Sequence, residues 1–304
     1  SSDEIAPHKE YWIKQFDGEI PILELPADKE RPGIKTFNGA SLTATIDNDT
    51  LDNLNKTGKT LGGTLFMNLL ACVNVLLYRY TGQEDIVVGS PTAGREHVDL
   101  EDQIGFYVNT LALRTRLRGP DCYEELLNNI KQVNLRAYEH QIYPFDQLID
   151  DLDLRRDLSR QALFDIMIVL QNAEITGKDS ISQEMNGITI KGYPDSEHSI
   201  SKFDLTFDFR EINEDIYMLI EYNTDIYNRE NIELMGAHIE SILKTVITSS
   251  KQKISELNYL TTEETNQLLK EFNNTRTDCL LDKTVIDLFE EQVKKTPAAI
   301  GLVY

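Results

Sequence analysis

Between Thr64 and Tyr80 the chain reads TLFMNLLACVNVLLYRY, and Leu65, Phe66, Leu69, Leu70, Val73, Leu76 and Leu77 cover more than one face of a helix. A helix that is apolar on most sides must be enclosed by other elements. Its apolar core, Leu65 to Leu77, is too short to span a bilayer and carries Asn68 and Asn74. Ile86-Val87-Val88 follows as a short apolar run of the kind found in interior strands. Strand, helix and strand in alternation favour a mixed α/β sandwich over a helical bundle.

The flanking sequence repeats this alternation. Tyr11-Trp12 opens a helix that ends near Asp17-Gly18, and Pro21, Pro26 and Pro32 mark an extended crossing. Leu42, Ala44 and Ile46 alternate with polar residues as a strand, and Asp47 to Lys59 reads as a polar helix capped by Asp49 or Thr50. Leu126, Ile130, Val133 and Ala137 form an apolar stripe on a helix from Tyr123 to His140. His140 at its end is placed where the helix dipole favours a protonated imidazole. A short helix from Tyr143-Pro144-Phe145 turns Leu148 and Ile149 inward. Leu163 to Leu170 is nearly continuous apolar, as in a central strand, and a polar loop runs from Gln171 to Gln183. Phe203 to Phe209 and Ile216 to Tyr222 alternate as a hairpin with one buried face, which leaves Asp204 and Asp208 on a solvated one. A last amphipathic helix spans Asn231 to Thr248.

Composition narrows the partners. Fifty-one acids against thirty Lys and Arg give a net charge of -21, which argues against nucleic acid and against an anionic membrane face. Cys72, Cys122 and Cys279 are unevenly spaced with no CxxC pair, as in a reducing compartment, and Cys72 is a small core residue. The opening Ser1-Ser2-Asp3-Glu4 lacks the features of a signal peptide. Together these features predict a soluble, cytoplasmic protein.

One stretch carries more information than the rest. Gly89-Ser90-Pro91 reads as a breaker cluster, and a charged loop with Arg95, Glu96, Asp99, Glu101 and Asp102 follows. Order resumes at Ile104-Gly105-Phe106-Tyr107-Val108-Asn109-Thr110-Leu111-Ala112-Leu113-Arg114. At strand spacing Tyr107, Asn109, Leu111 and Leu113 share one side, which makes Asn109 an amide among apolar neighbours. An amide in that setting must find partners or cost about 1–3 kcal/mol. Asn109 is either a satisfied structural amide or a group that acts on a ligand.

Ile104 to Arg114 resembles the IGxFVNT…R motif of condensation domains in nonribosomal peptide synthetases, with Tyr107 where that family usually has Phe. His140-Gln141-Ile142-Tyr143-Pro144-Phe145-Asp146 resembles its HQDxPFE motif, with Ile142 and Asp146 as departures. Arg156-Asp157-Leu158-Ser159-Arg160-Gln161-Ala162-Leu163 resembles its RDxSRNPL motif, with Gln161 and Ala162 as departures. Three motifs in the right order and spacing are more specific than any one, and the resemblance runs from about Tyr11 to Leu260.

The resemblance implies the C-terminal lobe of a chloramphenicol acetyltransferase-like (CoA-dependent acyltransferase) α/β sandwich over residues 1–258, a linker over 259–283 and the start of an adenylation domain over 284–304. It implies antibiotic or other secondary-metabolite biosynthesis, in which a carrier-bound amine attacks a carrier-bound thioester. Substrates would then ride on the phosphopantetheine of upstream and downstream peptidyl carrier domains, with no cofactor or metal bound directly. By the same resemblance Asn109 faces the acyl channel, where its amide binds a thioester carbonyl or an oxyanion. Arg95 and Arg114 become electrostatic partners of an N-terminal lobe, and residues 89–102 latch over it. His140, Gln141, Arg156, Asp157 and Arg160 are further motif or lobe-contact candidates.

The family's HHxxxDG motif is not among the five histidines, since His8, His97, His140, His198 and His238 stand apart and none precedes Asp-Gly. The sequence contains no GxSxG, HExxH or Walker loop, and Gly62-Gly63-Thr64 lacks the lysine. The expectation is a fragment that is inactive alone, its catalytic histidine lying upstream. Two other readings stay open: a noncatalytic docking piece, and an epimerisation-type domain of the same fold.

Overall fold

In chain order the elements are α1 (Ser2–Gln15), β1 (Asn38–Ile46), α2 (Asn48–Thr60), α3 (Leu65–Thr81), β2 (Asp85–Thr92), β3 (Asn109–Arg116), α4 (Tyr123–Glu139), α5 (Phe145–Asp151), β4 (Ile166–Gln171), β5 (Gln183–Met185), β6 (Ile188–Ile190), β7 (Ser199–Ile200), β8 (Leu205–Ile212), β9 (Asp215–Asn223), α6 (Arg229–Thr248), α7 (Thr262–Asn266) and α8 (Val285–Lys295). This computed structural model describes residues 2–95, 98–100, 103–154, 157–171, 183–185, 188–190, 199–212, 215–275 and 283–302. The polar loop expected over 171–183 lies almost wholly outside them. The chain divides into two units, Ser1–Leu260 and Thr261–Tyr304.

In the first unit a seven-stranded mixed sheet runs β3-β2-β4-β8-β9-β1-β7, and β5 pairs only with β6. The pairings β2–β4 and β4–β8 are parallel, whereas β2–β3, β8–β9 and β1–β9 are antiparallel. α3 lies at the middle of the helical layer, in contact with α2, α4, α6 and β2. Its enclosure is complete: Leu70, Val73, Val75, Leu76 and Leu77 have no exposed surface. The two asparagines that interrupt it are equally buried, and each donates to the carbonyl four residues back, Asn68 to Thr64 at 2.7 Å and Asn74 to Leu70 at 2.8 Å. Leu205, Phe207 and Phe209 of β8 are buried, and Ile216, Met218 and Ile220 of β9 are buried with Ile232, Ile239 and Ile242 of α6, which packs on β9 and β1. The architecture is the chloramphenicol acetyltransferase-like mixed α/β sandwich. Cys72 is a core residue, and burial pushes its thiol up to about 12.

Four local expectations are corrected. Tyr11 and Trp12 lie in the last turns of α1, which begins at Ser2 and seats Trp12 and Phe16 in the core. The cap of α2 is Asp47, whose Oδ1 accepts from the Thr50 backbone at 2.8 Å. Gly89-Ser90-Pro91 does not break the strand, because β2 pairs with β3 through Thr92. Its pairing with β4 is confined to Gly89 opposite Met167, so Pro91 lies past the point where a missing N–H would cost a ladder bond. Gly89 is required there, since an added Cβ would fall 2.1 Å from the Phe164 ring.

The fourth correction concerns the carboxylates of the hairpin. Asp204 and Asp208 are 2% and 6% exposed, not solvated. The Asp208 carboxylate accepts from Arg210 at 2.6 Å and from Gln171 at 3.0 Å, and Asp204 is held by Arg31. Both arginines supply the counter-charge that makes such burial tolerable.

The second unit holds α7, one π-helical turn over Gln267–Glu271, and α8. Thr261 and Thr284 cap the two helices in reciprocal boxes with Glu264 and Asp287. Val285, Ile286 and Phe289 of α8 stand exposed.

Candidate functional site

The first two motifs are joined by Asn109. At the start of β3 its Nδ2 donates to the carbonyls of Gln141, at 2.7 Å, and Tyr143, at 2.8 Å. Its Oδ1 accepts from the Phe145 backbone N–H at 3.1 Å, the first helical residue of α5. Pro144 offers no side-chain acceptor at that helix start, so Asn109 does the capping from another strand. Both amide hydrogens are engaged, and neither is left to reach a thioester carbonyl. Thr92, opposite Asn109 across β2–β3, donates its hydroxyl to Gln141 Oε1 and holds the same turn.

His140 ends α4 and starts that turn. Its ring stacks on Tyr11 with centroids 4.2 Å apart, its Nδ1 lies 2.9 Å from His8 Nδ1, and its carbonyl accepts from Trp12 Nε1 at 2.9 Å. The expectation of a protonated imidazole is overturned. Burial first, and then the positive neighbour that His8 can become, lower its pKa, with Glu139 opposing.

The third motif meets the second through rings. Phe164 packs on Phe145 at 5.5 Å and stacks on Phe203 at 5.6 Å. Arg160 of the motif pairs at 2.7 Å with Asp165, just beyond its end, and Asp165 also accepts from the Gln161 backbone at 2.9 Å. Asp157 accepts from the backbone and hydroxyl of Ser159, which lower its pKa. Arg31, which the sequence did not single out, ties the motif to the sheet by donating to the Ser159 carbonyl and to Asp204. Arg156 lies outside the described residues.

The two remaining arginines behave differently from expectation. Arg114 is 4% exposed, and its partners are in this chain: Asp85 at 2.8 Å and the carbonyls of Gln15 and Glu19. It pins the end of α1 and the segment after it to the sheet edge. Arg95 donates to the carbonyls of Leu100 and Gly105 and lies 4.5 Å over the Tyr107 ring. These contacts bring Arg95 together with Leu100, Gly105 and Tyr107, yet Ile104 and Phe106 remain exposed. Gly94 closes the loop at φ +64, where a Cβ would strike the Tyr107 carbonyl.

His8, Thr92, Arg31 and Asp165 are the members that sequence reading missed. The pairing of Arg31 with a strand-borne Asp had a signal, an acid in a strictly alternating apolar run, but no rule of spacing points 173 residues away. Among the described residues no group of three or more His, Cys, Asp or Glu is placed to hold a metal ion, and no single helix is long and apolar enough to cross a membrane.

Residues 1–269 match the family model described as Condensation domain. The chain is 43% identical over 302 residues to bacitracin synthase 3 of Bacillus licheniformis and 44% identical over 302 residues to gramicidin S synthase 2 of Brevibacillus brevis. Each alignment takes in 99% of this chain but only 5% and 7% of those relatives. Among solved structures, a four-domain nonribosomal peptide synthetase bound to AMP and glycine superposes with a TM-score of 0.83 at 18% identity, over 96% of this chain and 23% of that one. The X-domain from teicoplanin biosynthesis gives 0.74 at 21% identity, over 84% of this chain and 57% of that one.

Proposed function

From membership of the condensation-domain family, to which this chain belongs, we propose that it forms the C-terminal half of a peptide-bond-forming acyltransferase. The reaction is attack of a carrier-bound α-amine on a carrier-bound thioester: the C–N bond forms, the C–S bond breaks, and the amine proton leaves as the thiol is released. The observation that carries this reading is the joining of the IGxFVNT-like and HQDxPFE-like motifs through Asn109, which builds one continuous wall from β3 and the α4–α5 turn.

On this reading Asn109 is a positioning residue that fixes the wall, and the proton-handling histidine comes from an HHxxxDG segment outside these 304 residues. The exposed Ile104 and Phe106 of the 95–107 loop then meet that other half. Substrates arrive on phosphopantetheine arms of carrier domains. Residues 284–304 open an adenylation domain, for which the unburied apolar face of α8 supplies the docking surface.

The test is reconstitution with loaded donor and acceptor carriers. This chain alone is expected to give no more dipeptidyl product than buffer, and joined to a segment bearing HHxxxDG it is expected to give product. Product from the isolated chain, or none from the joined protein when it is folded and loaded, would overturn the proposal. The second outcome would favour a docking role.

A further inference from the structure

Along the outer edge of β3 a cavity of about 330 Å³ opens between α1 and α4. Tyr11, Gln15, Arg114, Arg116, Gln132 and Arg136 are among the residues that line it, and no carboxylate does. In a chain with 51 acids and 30 Lys and Arg, three arginines around one cavity run against the overall charge.

The charges there are not balanced. Asp85, beside the cavity on β2, is shared by two of the arginines, with Arg114 at 2.8 Å and Arg116 at 3.3 Å. Arg116 keeps most of its side chain in solvent, 67% exposed. Arg136, on α4, makes no ion pair or hydrogen bond among the described residues, and its electrostatic neighbour is the Tyr11 phenol. Glu139, one turn further along α4, acts on Tyr11 from the other side. Counting Asp85 and Glu139 against Arg114, Arg116 and Arg136 leaves a net positive charge at the cavity.

The strand carbonyls at this edge are already occupied. As an edge strand, β3 would present bare carbonyls here, but Asn129 Nδ2 covers that of Arg116 at 2.6 Å and Gln15 Nε2 covers that of Arg114 at 3.4 Å. Acceptors are thus capped by amides, while guanidinium N–H groups and the Tyr11 hydroxyl stay free to donate. Burial pushes that phenol up to about 12, so it keeps its proton at neutral pH. Guanidinium forks match phosphate oxygens in a bidentate manner, and a dianion gains more than a monoanion from a net positive site.

We propose that the cavity between α1, β3 and α4 is a binding site for a phosphate group, held by Arg116 and Arg136 with Tyr11 as a further donor. Its volume is at the small end of ligand sites, about 300–1,000 Å³, which suits inorganic phosphate or the phosphate end of a larger molecule. The site does not include Asn109 and does not depend on the acyl-transfer reading.

The experiment titrates the full 304-residue chain at constant ionic strength with inorganic phosphate, with phosphopantetheine and with acetate, reading heat of binding and thermal midpoint. Saturable binding of phosphate or phosphopantetheine but not of acetate is expected. Arg136→Gln should weaken it about 10- to 100-fold, as for loss of one hydrogen-bonded charge. Arg136 is exposed and unpaired, so this variant should melt like the parent without ligand, and Arg116→Gln provides an independent second loss. Tighter binding of phosphopantetheine than of phosphate would support the site and assign it to a tethered arm, and equal binding would support it and assign it to free phosphate. Absence of saturation, an equal response to acetate, or unchanged affinity in both variants would overturn the proposal.

Discussion

His8 and His140, on α1 and at the end of α4, face each other Nδ1 to Nδ1 at 2.9 Å. At that distance one nitrogen donates its proton and the other accepts, so the pair holds one proton between them and not two. The consequence for pH follows from the lowered pKa of His140. In the window between its folded value and about 6.5 the unfolded chain binds more protons, so stability is full above that value and falls as pH drops through the folded pKa. Thermal midpoints recorded from about pH 7.5 to about pH 5.5 should decline in the parent and decline less in His140→Gln. Parallel profiles would show that His140 does not contribute to the pH dependence of folding. Lys9, paired with Asp151 on α5, should keep α1 partly attached at the lower pH.

Asn109 uses both of its N–H groups and its carbonyl oxygen within the protein. Asn109→Ala should therefore cost about 1–3 kcal/mol of stability and leave the condensation rate per folded molecule of the complete synthetase near the parent value. Asn109→Asp should be worse, because it sets a carboxylate against two carbonyl oxygens. Melting temperature and rate, measured on one preparation, separate the possibilities. A fall of about 10²–10³-fold per folded molecule with little change in melting would restore direct donation to the reacting carbonyl.

Periodicity made much of this fold legible. The all-round apolar pattern of α3, the stripe of α4 and the strict alternation of β8 and β9 each record a burial that depends on near neighbours in sequence. The failures share a different cause. The partners of Arg114, Asp85 and the carbonyls of Gln15 and Glu19, were invisible because they lie 29 to 99 positions away. Asp204 was placed in solvent because its counter-charge is 173 residues away on an extended segment with no pattern of its own. His8 drew no attention because its importance comes from His140, 132 positions on. The motif reading brought out Asn109 but not its three bonds, since spacing reveals which side a residue occupies and not what waits there.

Gly89 tests how closely the sheet and the third motif are fitted. It is the one β2 residue paired with β4, and a Cβ there would lie 2.1 and 2.2 Å from two carbons of the Phe164 ring. That ring is fixed between Phe145 and Phe203, so it cannot swing aside freely. Gly89→Ala should destabilise by about 1–3 kcal/mol, the usual cost of forcing an extra carbon into a filled core. Adding Phe164→Leu should recover part of that loss. If Gly89→Ala melts like the parent, the Phe164 ring is not held in this position.

The Arg31–Asp204 pair permits a sharper test, because the two side chains are 20% and 3% exposed and lie on segments far apart in the chain. Burial is the largest influence on Asp204 and raises its pKa, while the hydrogen bond from Arg31 works against that rise. Removing Arg31 alone leaves the carboxylate without its hydrogen-bonded cation, and removing Asp204 alone leaves the guanidinium beside the Ser159 carbonyl with Asp165 as a more distant counter-charge. Each single change, Arg31→Met or Asp204→Leu, should cost about 3–5 kcal/mol. The double change removes both charges and fills the space with apolar atoms, so it should be milder than either single change. Denaturant unfolding of the four proteins gives the coupling directly. A double variant as unstable as the sum of the singles would mean that each residue acts through other partners, with Asp165 and Arg160 the first to examine next.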